Sequence, residues 1–60
     1  MIKTEMLSGT NMELLQNNIN NWFDTMQSTY PNFGLFDIKF GYQEQTWTVM
    51  IIYELGENKN

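Results

Sequence analysis

The chain has 60 residues and a net charge of −4, with seven acidic and three basic side chains and neither Cys nor His. Disulfides and thiolate metal sites are thereby excluded, along with the commonest metal ligand and the commonest general base. Three lysines and no arginine leave little to neutralise phosphates, so duplex or nonspecific nucleic-acid binding is not expected.

That length holds one domain, and a domain this small buries only roughly 60% of the surface its unfolded chain exposes. Stability then usually needs a disulfide, a metal or a partner subunit, and here the partner is the staple left. Aromatic residues make up 15% of the chain, which favours a folded core over disorder. No stretch approaches a membrane span, and the N-terminus lacks the basic-then-apolar form of a signal peptide. The expectation is a soluble protein of the cytoplasm (the host cytoplasm if it is viral) that makes no membrane contact.

In chain order, Met1–Leu7 reads as a short strand, with Ile2, Thr4 and Met6 on one face and Lys3, Glu5 and Leu7 on the other. Ser8-Gly9 is expected to break it. Thr10-Asn11-Met12-Glu13 then fits a capping box, Thr10 at the cap and Glu13 three residues on. Met12, Leu15, Ile19, Trp22, Phe23, Met26 and Tyr30 follow at helical spacing, and Glu13, Gln16, Asn17, Asn20, Asp24 and Gln27 form the opposite face. Asparagine is a poor helix former, so this helix depends on packing its stripe. Pro31 ends it near Thr29 or Tyr30, and Pro31-Asn32-Phe33-Gly34 is read as the turn.

Leu35–Tyr42 alternates, with Phe36, Ile38, Phe40 and Tyr42 on one face and Asp37, Lys39 and Gly41 on the other. Gln43-Glu44-Gln45 is polar loop, and Thr46–Leu55 is a second long strand. Pairing Phe40 with Val49 and Ile38 with Ile51 stacks the apolar faces and leaves a four-residue loop. Gly56–Asn60 reads as a frayed tail, which leaves about residues 2–55 ordered.

The run Val49-Met50-Ile51-Ile52-Tyr53 is apolar on both faces, which marks a strand buried on both. It is therefore placed at the centre of a three-stranded sheet of order 1-3-2. The first two strands run parallel and are joined by a helical crossover. The fold class is α+β: one βαββ domain with its helix packed on one face of the sheet. One helix covers one face only. The other is expected to present Met50 and Ile52, with Leu7, Leu35, Lys39 and Thr48 around them. Such a patch calls for a partner, and a second copy stacked sheet to sheet provides one.

The seven carboxylates form no recognisable dyad, and no activated nucleophile or metal cluster is visible, so neither catalysis nor a bound cofactor is expected. Asp37 and Lys39, two apart on one strand face, suit an ordinary ion pair. For binding, three features stand out. Ser8-Gly9-Thr10 leads into a helix N-terminus that can hold a phosphate, or it simply turns and caps the chain. Tyr42 and Trp47 flank the hairpin loop, where they can stack on a base or on each other. Lys39 faces the expected interface, as an anion ligand or as an edge lysine that discourages aggregation.

The helix Leu14-Leu15-Gln16-Asn17-Asn18-Ile19-Asn20-Asn21-Trp22-Phe23, the segment Phe36-Asp37-Ile38-Lys39-Phe40 and the closing Val49-Met50-Ile51-Ile52-Tyr53-Glu54 together resemble small sporulation proteins of Bacillus-type bacteria. They also resemble small phage proteins of the anti-CBASS and anti-Thoeris kind, which act as oligomeric sponges for cyclic nucleotide signals. The resemblance spans about residues 2–54. It implies a homo-oligomer, a dimer or tetramer, whose ligand pockets lie between subunits. The expected function is sequestration of a cyclic nucleotide immune signal without cleavage. The alternative is a sporulation-associated or inhibitory protein that binds another protein through its sheet face.

Overall fold

The computed structural model of the chain describes residues 1–56. Strand β1 (Ile2–Gly9) is followed by helix α1 (Met12–Thr29) and the hairpin of β2 (Phe33–Gln43) and β3 (Thr46–Leu55). The sheet order is β1-β3-β2, and β3 is antiparallel to both neighbours. β1 and β2 therefore run parallel on the two edges, joined through α1. The expected α+β fold, strand order and helix are all present. Residues 57–60 of the expected frayed tail lie outside the described residues. At Gly56, the N–H donates to the Asn32 carbonyl at 3.1 Å.

β1 does not break at Ser8-Gly9. It continues through both, pairing Ser8 with Thr48 and Gly9 with Trp47. Gly9 has no positive φ, and a Cβ added there would meet only Leu15 Cβ, at an ordinary 3.9 Å. Extended backbone accommodates any residue, so this glycine does not force a turn.

The cap also moves by one residue. Asn11 rather than Thr10 is the N-cap, and its side chain accepts from the Leu14 N–H at 3.0 Å. The strand runs two residues further than expected, through Gly9, and the Asn11 carboxamide does the work expected of the Thr10 hydroxyl. At the other end, the Tyr30 N–H donates to the Met26 carbonyl at 2.8 Å. Pro31 and Asn32 alone make the turn, and Phe33 and Gly34 already belong to β2.

The predicted pairs Phe40–Val49 and Ile38–Ile51 are present. The hairpin is tighter than expected because Gln43 also pairs with Thr46, leaving Glu44 and Gln45 as the loop. Both take positive φ, 52° and 63°. Two central residues in that region match the twist of the flanking strands, the geometry of a type I′ turn. A bulge between Leu35 and Asp37 shifts the register, so that Leu35 pairs with Tyr53 and Asp37 with Ile52. Phe36 is the extra residue.

The core is small. Among the described residues, Leu15, Val49, Ile51 and Tyr53 are the buried apolar ones. Leu7, Ile19, Trp22, Phe23, Met26, Phe33 and Ile38 pack against them, half-buried. Toward the end of α1 the core is aromatic. Trp22 sits edge-on to Phe23, Phe33 and Tyr53 at centroid distances of 5.3, 5.8 and 5.1 Å, within the range such pairs favour.

Candidate functional site

Register decides which residues share a face, because side chains alternate along each strand. Val49, Ile51 and Tyr53 face α1, so Leu7, which pairs with Val49, faces it too and packs on the core. That corrects its expected place on the open face. Leu35 is likewise carried to the helix side by the bulge, opposite Tyr53, where it stays 52% exposed beyond the reach of the single helix. Met50 and Ile52 do stand on the open face, half-buried. Their neighbours there are Met6 and Thr4, with Ile2 beyond at the strand end. Ile2 and Met6 are 54% and 57% exposed. The alternation of β1 placed Ile2 and Met6 together, but only the β1–β3 register joins them to Met50 and Ile52.

The residues expected to bind a ligand gather at one end of the sheet and divide between its faces. On the helix side, Gly9, Trp47 and Tyr42 form one row across the three strands. The Tyr42 and Trp47 rings pack on each other, centroids 4.4 Å apart and tilted by 42°. Beside them an apolar groove of about 330 Å³ opens between Met12, Leu15, Gln16, Ile19, Phe40, Trp47 and Val49. Thr10 precedes the helix and does not cap it.

On the open side, Ser8, Thr48 and Gly41 form one row, and Met6, Met50 and Lys39 form the next. Thr48, Gly41, Lys39, Met6 and Met50, with the edge of Phe40, line a depression of about 180 Å³. Lys39 Nζ lies 3.4 Å from Asp37 Oδ2, and the two side chains are 64% and 51% exposed. Asp37 Oδ1 also accepts from the Ile38 N–H at 2.8 Å. The Thr48 hydroxyl and the Lys39 side chain thus line this depression together with Met6 and Met50.

Among the described residues no group of three acidic side chains could hold a metal ion, and no helix is long and apolar enough to cross a membrane. The molecule is a small α+β domain with one sheet face covered and one bare. No family model, curated protein or solved structure matches the chain.

Proposed function

We propose that the protein works by binding rather than catalysis, as a homo-oligomer that sequesters a cyclic nucleotide signal between subunits without cleaving it. One observation carries this reading: Thr48 and Lys39 line the open-face depression beside Met6 and Met50, with Ser8 paired to Thr48 on the same face. Two hydroxyls and an ammonium are donors that a phosphodiester accepts from. Methionine is a polarizable, adaptable surface for the flat face of a base. The depression of about 180 Å³ is too small to enclose a dinucleotide by itself, since pockets for ligands of that scale run to roughly 300–1,000 Å³. A second copy laid over the same face closes it, and symmetry then supplies a second Lys39.

The test incubates purified protein with cyclic di- and trinucleotides and cyclic ADP-ribose isomers, then heats it to release what is bound. Intact recovery of one compound is the expected result. A cleaved product would make the protein an enzyme, and an absence of binding across the panel would end the nucleotide reading. Lys39→Ala is expected to weaken binding by at least about tenfold while far-UV circular dichroism stays unchanged. The apolar character of Ile2, Met6, Met50 and Ile52 favours a second reading, an inhibitor that covers a protein surface with this face. A stable complex with a protein partner, formed with no nucleotide bound, would support it.

A further inference from the structure

Four large apolar side chains left in solvent belong to a single edge strand. In β2, Leu35, Phe36, Phe40 and Tyr42 are 52%, 68%, 72% and 58% exposed. β2 is bonded to β3 on one side only. A long apolar strand with an unpaired row of backbone donors and acceptors is a template for another strand. Its only charged residues are Asp37 and Lys39, and their placement selects the occupant.

The segment Phe36-Asp37-Ile38-Lys39-Phe40 reads alike from either end in size and apolarity, with the sign of its charges reversed. A two-fold contact needs that kind of self-complementarity, since whatever residue i meets must in turn meet residue i. We propose that two copies of the chain pair antiparallel through β2 about an axis at Ile38. Asp37 then stands opposite the partner's Lys39, and Phe36 opposite the partner's Phe40. Opposite residues of an antiparallel pair share a face, which confines the axis to a residue position. Moving it by one residue either way would set Asp37 against the partner's Asp37, or Lys39 against the partner's Lys39. Like charges directly opposite are unfavourable, so the axis at Ile38 is the favoured register.

Pairing in this register makes one six-stranded sheet with both helices on the same side. It buries Phe36 and Phe40 against each other at the open end of the apolar groove. The contact runs along the edge of β2 and shares Lys39 with the open face, so it is read by dimerisation and the nucleotide reading by ligand release.

The test uses charge reversal, read as the concentration at which dimer and monomer are equal. In D37K alone and in K39D alone, like charges face each other across the axis at both symmetric positions. Each variant is expected to need about tenfold higher concentration to dimerise. Mixed one to one, the lysines of one chain face the carboxylates of the other, and dimers of the two variants should return at wild-type concentrations. A pair that acts only within one chain predicts no recovery on mixing, and that result would overturn the proposal. So would wild-type association by each variant alone.

F36C/F40C gives a second measurement that does not depend on charge. The chain has no other cysteine, so mild oxidation should yield a covalent dimer, and failure to cross-link would also count against the pairing. If the wild type is oligomeric yet indifferent to all these changes, assembly runs through the open face alone, and the nucleotide reading survives unaltered.

Discussion

At the scale of single residues, the chain uses short polar side chains to settle its ends and turns. Asn11 satisfies a helix N–H that water would otherwise have to reach, through a bond of 3.0 Å to Leu14. Replacing it with Ala should cost about 1 kcal/mol, which lowers the melting temperature of a domain this size by about 4–8 °C. Thr10→Ala should stay within about 0.5 kcal/mol, because a surface substitution away from the cap changes little. Denaturation of the two variants side by side checks the assignment; equal losses would return the cap to Thr10. Lys39 pairs with its own Asp37 at 3.4 Å. With its side chain 64% exposed, the internal ion pair adds little stability and leaves the ammonium available to a ligand.

At the scale of elements, each unit shows where its sequence conflicts with its geometry. The hairpin turn places Glu44 and Gln45 at φ of 52° and 63°, a region that disfavours residues with a Cβ. Asn-Gly is the pair suited to such a turn. E44N/Q45G should therefore raise stability by about 0.5–1 kcal/mol, less than the full relief because Gly also loosens the unfolded chain. A urea midpoint that falls instead would show that Glu44 or Gln45 makes a contact worth more than the strain. The helix carries the reverse conflict. Asn17, Asn18, Asn20 and Asn21 weaken its intrinsic propensity, and Leu15, Ile19, Trp22, Phe23 and Met26 hold it by packing. Helix and sheet should thus melt together rather than in separate steps.

At the scale of the whole molecule, the open sheet face and the edge of β2 remain as apolar surfaces after folding. A chain with so small a core gains most from covering them, because partner binding stabilises the folded state by mass action. The melting temperature should climb as protein concentration is raised from about 1 to 100 µM. Met50→Lys, which sets an ammonium in the middle of the bare face, should flatten that dependence if the face is an interface. A melting temperature independent of concentration in the wild type would leave the protein a marginal monomer. Differential scanning calorimetry with parallel light scattering measures both.

Much of the fold was legible in the sequence because it follows from local periodicity. The apolar stripe of α1, the alternation of β2 and the doubly apolar run of β3 each name their element. The two apolar faces of β3 place it at the centre of the sheet. The candidate site was legible only in part. Lys39, Met50 and Ile52 were assigned to the open face by parity within the hairpin, whose register the apolar pairs dictate. Leu7 and Leu35 were expected on that face as well and stand on the other, for physical reasons that parity within one strand does not contain. The face of Leu7 depends on how β1 meets β3, a long-range pairing between strands 38 or more residues apart. Leu35 is turned by a bulge that one extra residue creates only when both strands are laid together. By itself the sequence determined the elements and their order, because these rest on composition and period. Only the tertiary structure decided that Ser8, Thr48 and Lys39 lie on the same face of the sheet. It also decided that Phe36 and Phe40 are left at an uncovered edge, because one helix is too narrow to cover three strands.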